Sequence, residues 1–402
     1  MHILYICQYF PPEMGAASAR AYEFSRRWVR MGHKVSVVCG IPNHPIGKVY
    51  PGYRKQALHH EVIDGIDVYR TWVFVTPNAW KVRRSINYLS FGFSAALASE
   101  TLRDVDVCIA TTPQFFSGVS GTFVKKLKGV PLVLEVRDLW PDSIEAVGIN
   151  TDPRFLSFLR WIERGMYRRA DRIVIVSDAF REHLLRKGVP ADKIKLITNG
   201  VSSELFERSP RARQHFNGPM KDKFLVAYIG THGLAHGLET MIDAAARMKA
   251  DPSVQFILVG EGAAKARLKA YANGLPNVLF VDRQPREVIS QMLNEIDLSL
   301  VMLRKADLFR TVIPSKMFEI MGVGKPIVLG VRGEAQRIVE EAGAGISIEP
   351  QDTEALVGAI ERFRGDDAFR AQCGESAYRF VRDQYNLDSL AVEYLDVLRE
   401  TS

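Results

Sequence analysis

Apolar runs of strand length alternate with helical stretches along almost the whole chain of 402 residues. The runs are apolar at nearly every position, which is typical of parallel strands covered by helices on both faces. In the first half they span residues 2–7, 35–39, 107–110, 132–136, 173–176 and 194–197; in the second half they span 225–229, 255–259, 278–281, 298–303 and 327–329. The pattern predicts an α/β protein with doubly wound parallel sheets.

The strand series restarts once, after a polar segment between residues 199 and 224 that contains Pro210, Gly218 and Pro219. A chain of this length exceeds the usual single domain and suits two domains of about 200 residues each. The sequence therefore predicts a domain of residues 1–208, a second domain of residues 209–384 and a C-terminal helix within residues 385–402.

Charge is distributed unevenly between the halves. Residues 1–208 carry 29 Lys and Arg against 20 Asp and Glu, whereas residues 209–402 carry 24 against 26. A basic half suits nucleic acid, an anionic lipid surface or a pyrophosphate substrate. Aromatic residues are not interleaved with the basic ones as in single-strand binders, and no nucleic-acid motif occurs, so we expect no nucleic-acid partner.

The sequence also indicates the cellular location of the protein. No apolar run reaches the roughly 18 residues of a membrane-spanning helix, and the apolar start lacks the basic region and cleavage site of a signal peptide. We therefore expect a cytoplasmic protein. The four cysteines are scattered, and Cys7, Cys39 and Cys108 lie within strand patterns, which indicates buried thiols rather than disulfides or a metal site.

A helix predicted over residues 80–103 begins Trp-Lys-Val-Arg-Arg and continues into a long, weakly polar stretch. Such a helix either lies at a membrane interface, with arginines at the headgroups and aromatic rings below them, or is a buried helix of an α/β layer. The basic surplus of the same half favours contact with a membrane surface.

The stretch from Pro314 to Pro326 lies between two predicted buried strands and predicts a helix whose start faces a ligand. Backbone N–H groups at Ser315 favour an anion, and Lys316 adds a point charge. Glu319 lies one turn along, where a carboxylate can accept from two vicinal hydroxyls. Phosphate and a diol together indicate a nucleotide, whereas the alternative is a well-capped helix with a solvated Lys and Glu.

Glycine-containing loops follow two other strands of the second half, and each predicts a close approach of backbone to a ligand. A third strand is followed directly by Asp282 and Arg283. The candidate binding residues in these loops are Gly230, His232, His236, Gly260, Gly262 and Arg283. The two histidines have no third ligand at a suitable spacing, so no metal site is predicted.

Two loops of the first half also follow buried strands. The segment from Tyr9 to Gly15 contains a Pro-Pro turn and leads into a helix predicted over residues 19–31, so Gly15 allows close backbone approach, unless this is an ordinary strand-to-helix loop. Arg137 and Asp138 directly follow the run 132–136, where α/β folds keep reactive groups. We predict Asp138 near the reacting centre with Arg137 beside it; a structural ion pair between them is the alternative.

These motifs, in this order, resemble those of the GT-B glycosyltransferases, in particular the retaining enzymes of family 4. Among these, the sequence most resembles the L-fucosamine-type transferases of bacterial O-antigen and capsule synthesis. The resemblance implies two Rossmann-like domains facing across a cleft, with the acceptor domain first and the nucleotide-sugar domain second. It also implies that the last helix crosses back onto the first domain, although a simple terminal helix is equally compatible with the pattern.

The resemblance further implies a metal-independent, retaining transfer of a sugar from a UDP-sugar, with no other cofactor. The sugar would be an N-acetylated 6-deoxyhexose or hexosamine. The acceptor would be a polyprenyl-diphosphate-linked saccharide at the cytoplasmic face of the inner membrane. The leaving diphosphate would take the acceptor proton while Lys316 and the helix starts neutralise its charge.

The sequence departs from the family pattern in three places. Ala16 replaces the second glycine of the first loop, and His232 and His236 lie near the usual positions of an arginine and a lysine. Thr311 stands where a first glutamate is expected, eight residues before Glu319, so the sugar contact falls to a neighbouring side chain. The candidates for that contact are Asp307, Arg310 and Thr311.

Two other functions stay open. A UDP-sugar epimerase shares the GT-B architecture and would need carboxylates for proton chemistry and no acceptor surface. A non-catalytic nucleotide-sugar-binding subunit is suggested by the missing glutamate and the missing basic pair.

Overall fold

The computed structural model describes residues 1–13, 15–44, 47–76, 81–112, 114–142, 152–209 and 213–402. The chain forms two compact units, of which the first comprises Met1–Thr198 with Leu387–Ser402 and the second comprises Asn199–Asn386. Residues 199–208, which the sequence analysis placed in the first domain, belong to the second unit because Val201 and Phe206 are buried in its core.

The first unit contains a sheet of eight strands. They are β1 (His2–Ile6), β2 (Lys34–Gly40), β3 (Leu58–Ile63), β4 (Ile66–Thr71), β5 (Val107–Thr111), β6 (Leu132–Val136), β7 (Arg172–Ile175) and β8 (Ile194–Leu196). Their order across the sheet is β3-β4-β2-β1-β5-β6-β7-β8. Every neighbouring pair is parallel except β3 and β4.

The hairpin of β3 and β4 is absent from the sequence prediction. Its turn is Asp64-Gly65, with φ of 50° and 79°, and it joins two strands whose burial alternates along the chain. An Asp-Gly pair between alternating runs is a strong hairpin signal. Neither strand is a fully apolar run: β3 lies at the edge of the sheet with partly exposed side chains, and β4 alternates buried and partly buried residues.

The helices in the described part of the first unit are α1 (Ala16–Arg30), α2 (Lys81–Glu100), α3 (Phe115–Lys128), α4 (Pro153–Arg169), α5 (Ala179–Arg186) and, at the C-terminus, α13 (Leu387–Arg399). Helix α1 begins three residues earlier than predicted because the carbonyl of Gly15 already accepts from Ala19 N–H at 2.9 Å. The predicted start of α2 at Trp80 lies outside the described residues. Helix α3 packs against both α2 and α4.

The C-terminal helix α13 completes the core of the first unit. Leu390, Tyr394 and Leu398 are buried among residues of β1 and α1, and the indole N–H of Trp28 donates to the carbonyl of Ala391 at 3.0 Å. The apolar stripe of α13 is therefore covered within this unit.

The second unit contains six parallel strands: β9 (Phe224–Ile229), β10 (Val254–Val259), β11 (Val278–Val281), β12 (Leu298–Met302), β13 (Ile327–Gly330) and β14 (Gly345–Ser347). Their order is β11-β10-β9-β12-β13-β14. The prediction of two α/β domains with parallel sheets is confirmed. The sequence analysis missed β14, because a strand of three residues gives no distinct apolar run.

Seven helices accompany these strands in the described part of the second unit: α6 (Glu239–Arg247), α7 (Lys265–Tyr271), α8 (Arg286–Glu295), α9 (Lys316–Gly322), α10 (Glu334–Glu341), α11 (Thr353–Gly365) and α12 (Asp367–Gln384). Strand β9 lies between β10 and β12, so the strand order reverses at this point. The carboxyl ends of strands at such a reversal are where open α/β sheets bind ligands.

Candidate functional site

Three glycines lie in the closely packed loops where β9 and β10 end. Gly230 follows β9 with φ of 149°, and a Cβ there would clash with the ammonium nitrogen of Lys316. A Cβ on Gly260 would overlap the carbonyl oxygen of Gly230, and one on Gly262 would overlap that of His232. The structure therefore brings these three predicted glycines and Lys316 together, in loops that approach at backbone distance.

Lys316, at the start of α9, carries the most unusual side chain of this cluster. Its ammonium nitrogen lies 3.7 Å from the centroid of the Tyr228 ring, and it is buried with no hydrogen-bond partner among the described residues. Burial lowers the pKa of Lys316 to about 7, although the charge of Glu319 opposes this shift. A buried amine without an acceptor is costly, and a bound anion would remove that cost.

The two histidines of the loop after β9 are uncharged at neutral pH. Burial lowers the pKa of both His232 and His236 to about 4; the charge of Lys265 adds to this effect at His232, and the charge of Lys316 adds to it at His236. His232 is completely buried, and neither of its ring nitrogens has a hydrogen-bond partner in the described part of the chain. His236 is half-buried, with Nδ1 at 3.3 Å from the carbonyl of Gly233. The positive charge of this cluster therefore comes from lysine.

Glu319, the predicted ribose ligand, is paired with an arginine that the sequence analysis did not identify. Arg286 Nη2 donates to Glu319 Oε1 at 2.9 Å, and both side chains are about one quarter exposed. The Arg286 guanidinium also lies 5.3 Å from the ring centroid of Phe206. Arg286 is the first residue of α8, and these contacts orient the Glu319 carboxylate.

A second missed residue, Lys265, joins the loops that follow β10 and β11. Its ammonium group donates to the carbonyl of Gly260 at 2.8 Å and to Asp282 Oδ1 at 2.6 Å, and it also pairs with Glu261. Lys265 thereby holds both predicted ligand loops in one arrangement. Arg283, which follows Asp282, is half-buried and makes no ion pair with any described residue.

The remaining predictions of the second half lie just before α9. Ser315 precedes the helix without a capping bond from its side chain. Asp307–Thr311 form a turn of 3-10 helix, in which the hydroxyl of Thr311 donates to the carbonyl of Leu308 at 2.8 Å. Thr311 is thus engaged within its own turn.

In the first unit, Gly15 and Arg137 lie at the same sheet edge. The Arg137 guanidinium donates to the carbonyls of Ala16 at 2.8 Å and Ala17 at 3.2 Å, across the end of β5, which separates β1 from β6. Burial lowers the pKa of Arg137. These bonds hold the start of α1 and give Arg137 a positioning role, while Asp138, the next residue, is half-buried.

Glu13 is a buried carboxyl in the loop after β1, to which the sequence analysis gave no role. Its Oε1 accepts from the backbone N–H groups of Asn43 and His44, both at 2.8 Å. Its Oε2 is buried without a partner among the described residues. Burial raises the pKa of Glu13 to about 7, so this carboxyl joins two loops and can hold a proton near neutral pH.

One cluster of the first unit has the composition of a metal site. Asp142, Glu163 and His183 present ligand atoms within 4.8 Å of one another. However, the Lys187 ammonium group already donates to Glu163 at 2.6 Å and to Asp142 at 2.8 Å. Burial alone would raise the pKa of Asp142, but its bonds to His183 and Lys187 outweigh burial and lower it. The cluster is therefore an internal ion-pair network around a lysine.

The second unit thus assembles a complete set of groups for an anion beside a diol. It offers a buried amine, close-packed glycine loops at a reversal of strand order, and a carboxylate oriented by arginine. This combination suits the diphosphate and ribose of a nucleotide. None of the described helices is long and apolar enough to cross a membrane.

Family comparisons cover the two units in turn. The glycosyl transferase 4-like domain model matches residues 15–200, and the model of glycosyl transferases group 1 matches residues 211–380. A candidate colanic acid biosynthesis glycosyl transferase of Escherichia coli K12 is 26% identical over 368 residues, which cover 88% of this chain and 89% of that protein.

Solved structures show the same architecture. Sucrose-phosphate synthase of Thermosynechococcus elongatus superposes with a TM-score of 0.78 at 18% identity, over 99% of this chain and 98% of that one. Anabaena HepE, solved in complex with UDP-glucose, superposes with a TM-score of 0.74 at 19% identity, over all of both chains. Together the two family models match most of the chain, so it belongs to the glycosyltransferases, and the solved structures show that it has the GT-B fold.

Proposed function

We propose that this glycosyltransferase is a retaining, metal-independent enzyme that moves a sugar from a UDP-sugar to a lipid-linked saccharide. The transferred sugar is an N-acetylated amino sugar or a 6-deoxyhexosamine, and the product serves surface polysaccharide synthesis. The reaction takes place at the cytoplasmic face of a membrane, where the enzyme binds peripherally. The observation that carries the proposal is the buried amine of Lys316, which lacks an acceptor beside the glycine loops.

The donor is assigned from the second unit. The diphosphate lies against Gly230 and Lys316, and the ribose hydroxyls donate to Glu319, whose carboxylate Arg286 orients. UDP is preferred to other nucleotides because the sequence resembles that of enzymes that use UDP-sugars, and the solved complex of HepE with UDP-glucose supports that choice. A lysine and backbone N–H groups at the diphosphate stabilise the leaving group without a metal.

The acceptor-binding and membrane-contacting roles are assigned to the first unit. Helix α2 carries Ile86, Leu89, Phe93 and Leu97, which are 43%, 50%, 71% and 54% exposed. Their spacing of three or four residues places them on one side of the helix. A stripe of this kind suits the interface of a membrane, and it supports the prediction made for residues 80–103. Asp138 acts at the sugar and acceptor.

Calorimetry with UDP, GDP and ADP tests the nucleotide assignment directly. UDP should bind with the highest affinity, and EDTA should not change that affinity. If GDP or ADP binds more tightly than UDP, the donor assignment is wrong.

Turnover tests the rest of the proposal. The enzyme should transfer sugar from UDP-N-acetylhexosamines to a lipid-linked saccharide, and NMR of the product should show the anomeric configuration of the donor. Formation of an epimer from UDP-N-acetylglucosamine without acceptor would identify an epimerase instead. UDP-sugar binding without turnover on any lipid-linked acceptor would favour a non-catalytic binding subunit.

A further inference from the structure

Helix α4 exposes three aromatic side chains, of which Phe158 and Trp161 lie on the side facing away from the core. Phe155, Phe158 and Trp161 are 48%, 53% and 61% exposed, and the rings of Phe158 and Trp161 stack with centroids 6.1 Å apart. The opposite face of α4 is buried in the first unit through Leu156, Leu159 and Met166. Exposed aromatic surface of this extent is typical of a contact site.

Three exposed arginines lie among these rings. At 100° per residue, Arg154, Arg164 and Arg168 fall on the same side of α4 as Trp161. None of the three forms an ion pair with a described residue, whereas the neighbouring Arg160 pairs with Asp142 at 3.0 Å. The face therefore combines apolar rings with uncompensated positive charge.

A cavity of about 280 Å³ opens beside Trp161, between α4 and the segment after α5. It is lined by Trp161, Arg164, Tyr167, Arg168, Lys187 and residues 188–190. The charge of Lys187 is balanced by Glu163 and Asp142. Arg164 and Arg168 consequently supply the free positive charge of the cavity, and planar guanidinium groups bind phosphate through paired hydrogen bonds.

The chemistry of the face discriminates between possible occupants. In a symmetric contact with a second copy, the three arginines of each chain would meet the same arginines, which is unfavourable. An anionic phospholipid matches both the apolar rings and the positive charge of this face, because aromatic rings partition to the interfacial layer and arginines bind lipid phosphates. Helix α3, which contacts both α2 and α4, exposes Phe123 and Leu127, so all three adjacent helices carry exposed apolar side chains.

We propose that α4 is a binding site for anionic phospholipid, with Phe158 and Trp161 in the interfacial layer and a lipid phosphate held by Arg164 and Arg168. The inference rests on the proposed function in that both place the enzyme at a membrane. It adds a headgroup-selective site, distinct from the apolar stripe of α2 and from the nucleotide site.

Co-sedimentation of the full-length protein with vesicles tests this site. The vesicles contain phosphatidylcholine alone or phosphatidylcholine with phosphatidylglycerol. The wild type should bind the anionic vesicles, and the double variant R164E/R168E should bind them about tenfold or more weakly, since each basic residue near an anionic surface contributes measurably.

The matched control is R54E/K55E, which makes the same charge change at two exposed residues of the first unit. It should change vesicle binding by less than about twofold, because neither residue lies on α4. A second variant, F158S/W161S, should weaken vesicle binding while preserving all basic residues. Unfolding temperature and UDP affinity should match the wild type in every variant.

Three outcomes would overturn the inference. Equal losses in R164E/R168E and R54E/K55E would mean that only general charge matters. Unchanged vesicle binding in both α4 variants would place the contact elsewhere. Stoichiometric binding of geranyl diphosphate, abolished by R164E/R168E, would make the cavity an acceptor site. If the wild type did not bind UDP, the proposed donor would be wrong, but the vesicle result would still test the lipid site.

Discussion

The two units deviate from an ordinary globular domain in different ways. Both bury polar atoms without partners among the described residues, but in the second unit these include the amine of Lys316 and both ring nitrogens of His232, at the loops where β9 and β10 end. The first unit keeps apolar groups on its surface: sixteen of the eighteen exposed large hydrophobic side chains among the described residues belong to it. Each deviation costs stability, and real proteins place such costs at functional sites.

The comparison separates two kinds of recognition. A phosphate site requires donors that the fold leaves unsatisfied, and Lys316 meets that requirement. A membrane contact requires exposed apolar surface, which Phe93 and Trp161 provide. Variants in the two units should therefore affect nucleotide binding and acceptor-side activity separately.

The largest expected effect is in the first unit. Replacing Asp138 with Asn should lower turnover by about two orders of magnitude, because a positioned polar group at the reacting centre contributes on that scale. The affinity for UDP, measured by calorimetry, should stay unchanged. Full activity of Asp138→Asn would remove the residue from the mechanism.

The reverse pattern is expected for the second unit. Glu319→Ala should weaken UDP binding by roughly tenfold to a hundredfold, since a charge-assisted hydrogen bond to the ribose contributes about 1.5–3 kcal/mol. Binding to anionic vesicles should be the same as in the wild type. If calorimetry gave the Glu319→Ala variant the UDP affinity of the wild type, the ribose would have to lie elsewhere.

The pH dependence of nucleotide binding tests the state of Lys316. Tyr228, His232, His236 and Glu319 surround or influence its amine; both histidines are neutral above about pH 4, and burial raises the pKa of Tyr228. Since the pKa of Lys316 is lowered to about 7 in the empty site, binding of a diphosphate above that pH requires uptake of a proton. UDP affinity should therefore fall as pH rises above 7, by up to about tenfold per pH unit.

Calorimetry in buffers of different ionisation enthalpy measures this proton uptake. Lys316→Arg provides the control, because a guanidinium stays charged over the whole range, so its affinity should vary little with pH. Binding of UDP to the wild type without proton uptake at alkaline pH would contradict the assignment of Lys316 to the diphosphate.

The smallest effect is expected at Arg286. Replacing it with Met should weaken UDP binding by about threefold to tenfold, because Glu319 keeps its charge but loses its fixed orientation. The preference for UDP over 2′-deoxy-UDP should shrink in parallel, and Arg286→Met should add little in the Glu319→Ala background. Arg337→Met removes an exposed pair with Glu341 and should leave both measurements unchanged.

Much of the donor site could be predicted because its signals are local. Glycines after strands and a Pro-Ser-Lys helix start are visible in short stretches of sequence, and they indicate the phosphate and ribose positions without knowledge of the fold. The same applies to the Asp64-Gly65 hairpin, whose local signal was present and overlooked. Arg286 and Lys265 had no such signal, because Arg286 pairs 33 residues away and the Lys265–Asp282 contact spans 17 residues.

The amino-acid sequence by itself determined the α/β class, the order of the ligand loops and the family resemblance, since apolar runs and glycines act over a few residues. Tertiary structure decided which polar atoms lack partners and which apolar side chains stay uncovered. Lys316 is unsatisfied because it is buried against Tyr228 and Gly230, and Trp161 is exposed because the packing of α4 buries its other face. Both properties depend on contacts between residues distant in sequence, where local patterns carry no information.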